Sequence, residues 1–386
     1  MKSDVKANGV KAQPVELQLT TDPIPELVAE IAAGRMVVVM DDEGRENEGD
    51  LVMAAATTTL EQVAFFVRHT SGIICLPTSR EHLERLHLPQ MVPDNTEMHQ
   101  TAFTVSVDYR HGTTTGISAH DRARTIRALA DPAVKPEDFS RPGHIFPLRY
   151  AEGGVLCRAG HTEASVDLAR LAGLGSTAVI SEIVNEDGSM KRGAELIRFA
   201  REHGLKVGTI ADLIRYRLRT EKSVERLIER AVPTPYGEFR LVAYEDHVHA
   251  AVHLALIRGE IEPEKETRVR VQLQSTLGDV LGIQWPALGW PLAAGMERVG
   301  REGGVLVLLR QPEDPAALIG QIEQAGVGSA SRAAVGEEEA DALRTYGIGA
   351  QILTDLGVRR MRVYSAPRRM QAISGFGLAI TGYIEE

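Results

Sequence analysis

The densest chemistry in the chain is a run of ten residues, Asp41-Asp42-Glu43-Gly44-Arg45-Glu46-Asn47-Glu48-Gly49-Asp50. Its six carboxylates repel one another, and one arginine cannot neutralise them. Two readings are open: a solvated acidic turn, or the seat of a divalent cation. All-oxygen ligands favour magnesium or manganese over zinc. An EF-hand is excluded, because its loop needs glycine at the sixth position and Glu46 stands there. A second cluster is Arg158-Ala159-Gly160-His161-Thr162-Glu163-Ala164. Free N–H groups behind Gly160, with Arg158 two residues earlier, suit a phosphate, and His161 could reach a cation on the acidic loop. Equally, Gly160 and Thr162 would cap any helix.

Three further features carry weaker signals. Arg141-Pro142-Gly143-His144 reads as a rigid turn that presents an imidazole for proton transfer, or that merely exposes one. Glu182 interrupts an apolar strand; it either faces solvent or, if buried, is raised towards acid/base range. The stretch Thr113-Thr114-Thr115-Gly116-Ile117-Ser118-Ala119-His120-Asp121-Arg122 offers hydroxyls, a cation and a helix start suited to a polyol phosphate, with Ser118 equally an N-cap. Cys75 reads as a small core residue.

The elements that must position these residues alternate between strand and helix. Residues 1–20 are polar and aperiodic, a flexible tail. Asp22 is expected to cap a helix that ends at Gly34, followed by a buried strand over Met36–Met40. Further strands are expected at 73–76, 104–107 and 178–184, with helices at 61–68, 122–130, 162–171 and 194–203. This mixing predicts a layered α/β and α+β unit with a mixed sheet over 21–219. Residues 218–230 read as a charged helix, with 220–232 the linker before Pro233 and Pro235. A second α/β domain follows over 233–386, with strands at 238–244, 250–257, 269–273 and 305–309 and a helix near 293–301. Glu337-Glu338-Glu339 reads as a solvated helix start.

Composition removes whole classes. The 386 residues are 43% hydrophobic and 25% charged, a globular balance long enough for two or three cores. The net charge of −10 argues against nucleic-acid binding, and no apolar run approaches a membrane helix. Two cysteines, Cys75 and Cys157, exclude a disulfide framework and an all-cysteine zinc site, and fit a reducing cytoplasm.

Taken together, the acidic run 41–50, Thr114–Ala119, Arg141–His144 and Gly160–Ala164 strongly resemble 3,4-dihydroxy-2-butanone 4-phosphate synthase of riboflavin biosynthesis, over about residues 22–218. That resemblance implies conversion of D-ribulose 5-phosphate to dihydroxybutanone phosphate and formate with magnesium or manganese. It implies Glu46 and His161 as metal ligands and His144 and Glu182 as acid/base groups. Arg45, Glu46, Asp50, Thr114, Arg158, Ala159, Gly160, His161, Thr162 and Glu182 would contact substrate, in a homodimer. The second half resembles GTP cyclohydrolase II at Pro233–Phe239 and at Arg270-Val271 leading to Gly278-Asp279. The family's three zinc cysteines fall here on Ser275, Pro286 and Leu288, which are poor or impossible ligands. Its Gln-Glu-Gly-Arg stretch becomes Gln311-Pro312-Glu313-Asp314, and its catalytic Asp and Arg fall on Ala342 and Arg344. No zinc and no cyclohydrolase activity are therefore expected; the alternatives are a bifunctional enzyme or a regulatory or assembly module.

Overall fold

The structure is a computed structural model that describes residues 20–41, 45–285, 288–310, 315–324, 345, 347–365 and 376–384. The expectations at 1–19, 42–44, Pro286, 311–314, 337–339, Ala342 and Arg344 lie outside the described residues.

Seven strands build the first sheet: β1 (Val37–Met40), β2 (Gly49–Ala54), β3 (Cys75–Thr78), β4 (Val107–Tyr109), β5 (Phe139–Arg149), β6 (Ala178–Glu182) and β7 (Lys206–Thr209). Their spatial order is β4-β5-β3-β6-β2-β1-β7. The sheet is mixed, with β1/β7 and β3/β5 parallel and the other pairs antiparallel. Helices α1 (Ile24–Ala32), α2 (Leu60–His69), α3 (Arg80–Arg85), α4 (Ala119–Ala130), α5 (His161–Leu171), α6 (Ala194–Glu202) and α7 (Ile210–Thr220) fill the connections. The β-branched run Val37-Val38-Val39 is buried because β1 is an interior strand covered on both faces. Most helices bury one apolar stripe, as α6 does with Leu196, Ile197, Phe199 and Ala200. Helix α5 is different. Every residue from His161 to Ala169 is buried, polar ones included, because α5 packs against β2, β6, α1 and α7.

The second sheet contains β8 (Val224–Thr234), β9 (Gly237–Asp246), β10 (Ala251–Arg258), β11 (Glu266–Leu273), β12 (Gly304–Leu309), β13 (Arg360–Tyr364) and β14 (Ala379–Ile384), in the order β14-β13-β11-β12-β10-β9-β8. Strands β8, β9, β10 and β12 pair antiparallel, and β12, β11, β13 and β14 parallel. Helix α8 (Leu292–Glu302) and a helix over 347–355 pack on it.

Several expectations need correction. Asp22 does not cap α1; Pro23 is the N-cap and no side chain bonds to the helix start. Asp22 instead accepts hydrogen bonds from Val207 N–H, Arg201 and Lys206, tying the chain entry to β7. The charged helix and linker expected over 218–232 are also wrong. Helix α7 stops at Thr220, and Val224–Thr234 is the edge strand β8, so only Glu221–Ser223 join the units. Its charges mislead because an edge strand faces water along most of its length, as the exposed residues of β8 do. The strand expected at 104–107 begins only at Val107, and that at 73–76 begins at Cys75, since Ile73 is half-exposed. Arg141–His144 is not a turn between elements. It lies within β5, where the β4 ladder jumps from Asp108 opposite Ser140 to Val107 opposite Ile145. Four β5 residues are thus extruded from the ladder.

Candidate active site

The acidic run is the connection between β1 and β2, whose register sets Val39 opposite Asp50 and Met40 opposite Gly49. Asp41 fixes its shape from inside. Its buried carboxylate accepts from Glu46 N–H (3.1 Å), Glu48 N–H (2.8 Å) and Arg45 Nη1 (3.0 Å). Asn47 supplies a left-handed backbone step, at φ 54°, that asparagine tolerates. Arg45 also pairs with Glu46 at 3.0 Å.

His161, first residue of α5, closes this loop from below. Its Nδ1 is 3.8 Å from Glu46 Oε2 and 3.9 Å from Asp50 Oδ1. One donor atom each from Asp41, Glu46 and His161 lie within 4.8 Å of one another. Two buried atoms of these residues have no hydrogen-bond partner, Asp50 Oδ1 and His161 Nε2. Burial pushes the Asp50 carboxyl up, reinforced by Glu182, Glu46 and Asp41 and opposed by His161. Burial pushes Glu46 up too, but the His161 ring with Arg45 and His99 overrides it and holds the carboxyl at about 2. Burial would discharge His161, yet Asp50, Glu46 and Asp41 raise its pKa. A buried pocket with surplus negative charge and orphaned oxygen and nitrogen donors is what a hard divalent cation satisfies.

The start of α5 makes the second wall. Gly160 is the N-cap, with no side chain bonded to the first turn, so its helix-start N–H groups face outward. A Cβ on Gly160 would lie 2.4 Å from Arg158 Nη1 and 2.7 Å from Glu163 Oε2, so a larger residue there must displace that ion pair. Glu163, itself buried, clamps Arg158 at 2.8 Å and accepts from Ala151 N–H at 2.9 Å. Arg158 also donates to His99 O at 3.1 Å, and His99 Nε2 lies 3.7 Å from Glu46. Thr162 is buried and Ala159 half-buried beside them.

The sheet register delivers the remaining groups. Asp50 on β2 faces Glu182, the half-buried last residue of β6 rather than an interior one. Cys75 on β3 faces both Ile180 and Phe146, so Glu182 and His144, each two residues away, share one row and one face. Across β3 that row spans two strand spacings, about 10 Å. Ser71 Oγ donates to Glu182 Oε2 at 2.6 Å. Cys75 is buried, and burial raises its thiol well above the ordinary value. Extrusion from the ladder sets His144 on Asp108, whose carboxylate accepts from His144 N–H at 2.9 Å and pairs with Nδ1 at 2.7 Å. Gly116 covers the pair at φ +89°, where a Cβ would sit 2.8 Å from His144 Nδ1. Asp121 holds that loop by accepting from Thr114 N–H and Oγ1 and from Gly116 N–H, while Ser118 caps α4.

Glu46, Asp50, His161, Arg45 and Glu182 therefore converge at one end of the sheet, with Arg158, Gly160 and Thr162 at the adjoining helix start. His144 stands along the same row, and Thr114 reaches it only through Gly116. Sequence reasoning missed Asp41 as a potential ligand, although it sat in the acidic run. It also missed His99 and Asp108, which carry no local signal, and gave no role to Glu163, although it stood in the second cluster. Among the described residues no helix is long and apolar enough to cross a membrane.

Comparison with known proteins assigns both halves of the chain to families. The profile of the 3,4-dihydroxy-2-butanone 4-phosphate synthase family matches residues 25–216, and that of GTP cyclohydrolase II matches 225–385. A 3,4-dihydroxy-2-butanone 4-phosphate synthase of Photobacterium phosphoreum is 44% identical over 95% of this chain and 99% of its own. A chloroplastic bifunctional riboflavin biosynthesis protein of Arabidopsis thaliana is 48% identical over 98% of this chain and 72% of its own. The crystal structure of a two-domain 3,4-dihydroxy-2-butanone 4-phosphate synthase from A. baumannii is 43% identical and superposes with a TM-score of 0.79, covering 95% of this chain and 100% of that one. A synthase solved in complex with two magnesium ions is 52% identical with a TM-score of 0.50, covering 52% of this chain and 98% of its own. The chain thus belongs to the 3,4-dihydroxy-2-butanone 4-phosphate synthase family, as a lyase domain followed by a GTP cyclohydrolase II domain.

Proposed function

We propose that the first domain converts D-ribulose 5-phosphate to 3,4-dihydroxy-2-butanone 4-phosphate and formate, and that the second domain performs no GTP ring opening. The observation that carries the first part is the Asp41–Glu46–His161 cluster, with orphaned donor atoms on His161 and on the adjoining Asp50, whose row across the sheet continues through Glu182 towards His144. Glu46 and His161 hold magnesium or manganese there, with Asp41 beside them; the cation supplies charge stabilisation for an enediolate. Arg158, Ala159, Gly160 and Thr162 seat the phosphate at the α5 start, away from the reacting carbons. Arg45, Asp50 and Thr114 bind the hydroxyl-bearing chain. Glu182, held by Ser71 through one oxygen, keeps the other for proton transfer. His144 has Nδ1 committed to Asp108, so its proton work is done at Nε2. One group removes the carbon-bound proton and the other protonates the departing hydroxyl, which leaves as water; after a skeletal shift, addition of one water cleaves off one carbon as formate, so the water lost is regained.

What supports the second part is the chemistry at the positions matching the family's zinc cysteines. Ser275 Oγ accepts from Gly278 N–H at 3.1 Å as an N-cap, and a Cβ on Gly278 would lie 3.7 Å from Leu288 Cβ. Two of the three positions meet around Gly278, but with a capping hydroxyl and a hydrocarbon where thiolates are needed. The competing reading, a bifunctional enzyme, has the name of the Arabidopsis relative in its favour. We further place the enzyme in the cytoplasm as a homodimer, its domains meeting at Glu221–Ser223; Cys75 and Cys157, neither of them in a disulfide, suit a reducing compartment.

Formate release tests both parts. Purified protein with ribulose 5-phosphate and magnesium should turn over, and Glu46→Ala or His161→Ala should abolish it. Absence of wild-type turnover defeats the first part. Formate released from GTP with zinc above background defeats the second.

A further inference from the structure

The loop that ends at the α5 start is intrinsically soft. Gly153 and Gly154 are both left-handed, at φ +94° and +64°, and a short 3₁₀ turn over Gly154–Leu156 leads through Cys157 to Arg158. Within its own domain the loop is held at Ala151 and Arg158 by Glu163, and at its middle by two further fastenings. Asp167 of α5 accepts from Val155 N–H at 2.8 Å, and Arg217 of α7 donates to Gly153 O at 2.8 Å and to Asp167 at 2.7 Å.

The second domain adds two more. The β9–β10 turn places Val248 on Gly153: a Cβ there would lie 3.2 Å from Val248 Cγ1. Val248 O accepts from Cys157 Sγ at 3.5 Å, and its side chain packs against the first domain's core. This turn is rigid for a visible reason. Fully buried Asp246 accepts from Val248 N–H (2.8 Å), His249 N–H (3.2 Å), His249 Nδ1 (2.7 Å) and His253 Nε2 (3.2 Å). The other fastening is Gln351. Its Nε2 donates to Leu218 O (2.7 Å) and Glu221 O (2.9 Å), and its Oε1 accepts from Ser223 N–H (2.9 Å). It thereby satisfies carbonyls at the end of α7, the helix whose Arg217 grips Gly153. One fastening acts on the loop directly and the other through α7. Both converge on the segment that bears Arg158 and leads to His161.

We infer that the second domain positions the substrate loop of the first, with Val248 and Gln351 as positioning residues that tighten ribulose 5-phosphate binding without touching it. This rests on the reaction assigned above. A cyclohydrolase fold with no ring-opening chemistry keeps a use that depends only on its turn and helix geometry.

Val248→Ala and Gln351→Ala, each in the full chain, test this. Both should raise KM for ribulose 5-phosphate about fivefold or more while kcat stays within about twofold. Amide hydrogen exchange across 153–160 should quicken by about tenfold, with that of β1 and β2 unchanged. Val248→Ile should restore KM. A KM that stays at the wild-type value in both variants overturns the inference, as does a fall in kcat alone. A variant whose second domain unfolds decides equally, since losing the brace must raise KM. Should the wild type turn over no ribulose 5-phosphate, the assigned reaction fails, and exchange across 153–160 alone decides whether the brace exists.

Discussion

Asp108→Asn isolates the role given to His144. Asp108 Oδ1 accepts from His144 N–H at 2.9 Å, and Oδ2 lies 2.7 Å from Nδ1. In the variant the amide oxygen keeps the first bond, because only an acceptor fits a backbone N–H, and the NH2 group must then face Nδ1. Two donors cannot meet, so the imidazole moves its proton to Nε2, the atom needed for proton transfer. A hydrogen bond to a charged group contributes about 1.5–3 kcal/mol. Lost in the reacting state, that corresponds to a fall in kcat of roughly 10- to 150-fold. KM should change little, since Asp108 touches no substrate. Formate release measures the rate, and nitrogen-detected NMR of the imidazole shows which nitrogen carries the proton. A folded variant with kcat within about threefold of wild type, or with the proton still on Nδ1, refutes the reasoning.

Other expectations follow from the same contacts. Gly116→Ala forces a Cβ against Asp108 and His144 Nδ1 at φ +89°, so it should cost about 1–2 kcal/mol of stability and lower kcat; a wild-type melting curve and rate would contradict it. Glu46→Gln should weaken magnesium binding by about tenfold or more in calorimetric titration, with the fold intact by circular dichroism. Asp246 is buried, which alone would raise its pKa, but hydrogen bonds and charge from His249 and His253 hold it well below the usual carboxylate range. A depressed pKa gives stability that is present above the unfolded value of 3.8 and is lost as pH falls through the folded one. The second domain should therefore weaken below about pH 4, and Asp246→Asn should be less stable at neutral pH while losing that part of the acid dependence.

What the sequence disclosed and what it hid have separate physical causes. Strand β1, helix α6 and the helix start at His161 are local: β-branching, an apolar stripe and a glycine before free N–H groups suffice to find them. Glu46, His161 and Arg158 were legible because they lie in dense clusters. Asp108 was invisible, since it lies 36 residues from His144 and the two meet only through the skipped β4–β5 register. His99 reaches Arg158 and Glu46 across a comparable separation. Strand β8 was misread because its hydrogen-bonding partner, β9, comes later in the chain and its own side chains mostly face water. Asp22 looked like a cap by position, yet Arg201, Lys206 and Val207 N–H compete for it at once. Local preference lost to tertiary contact in each case.

The burial of α5 connects these threads. A helix buried on all sides is ordinarily apolar, because unpaired polar side chains in a core cost about 1–3 kcal/mol each. Here His161, Thr162, Glu163, Ser165 and Asp167 are all inside. Three of them have visible compensation: Glu163 in Arg158 and Ala151 N–H, Asp167 in Arg217 and Val155 N–H, and Ser165 in Thr162 O. Those partners also define the loop from Ala151 to Gly160, so the residues that make α5 tolerable inside the core are the ones that shape the segment leading to its first turn. His161 is the exception. Its Nε2 is buried without a partner, and so is the Oδ1 of Asp50 beside it. Among the described residues the one other buried side-chain atom without a partner is Arg122 Nε, and this pair is left open at the point where four carboxylates, Asp41, Glu46, Asp50 and Glu182, act on one another. A ligand bearing positive charge relieves both costs together, and that is the physical content of reading the site as a metal centre.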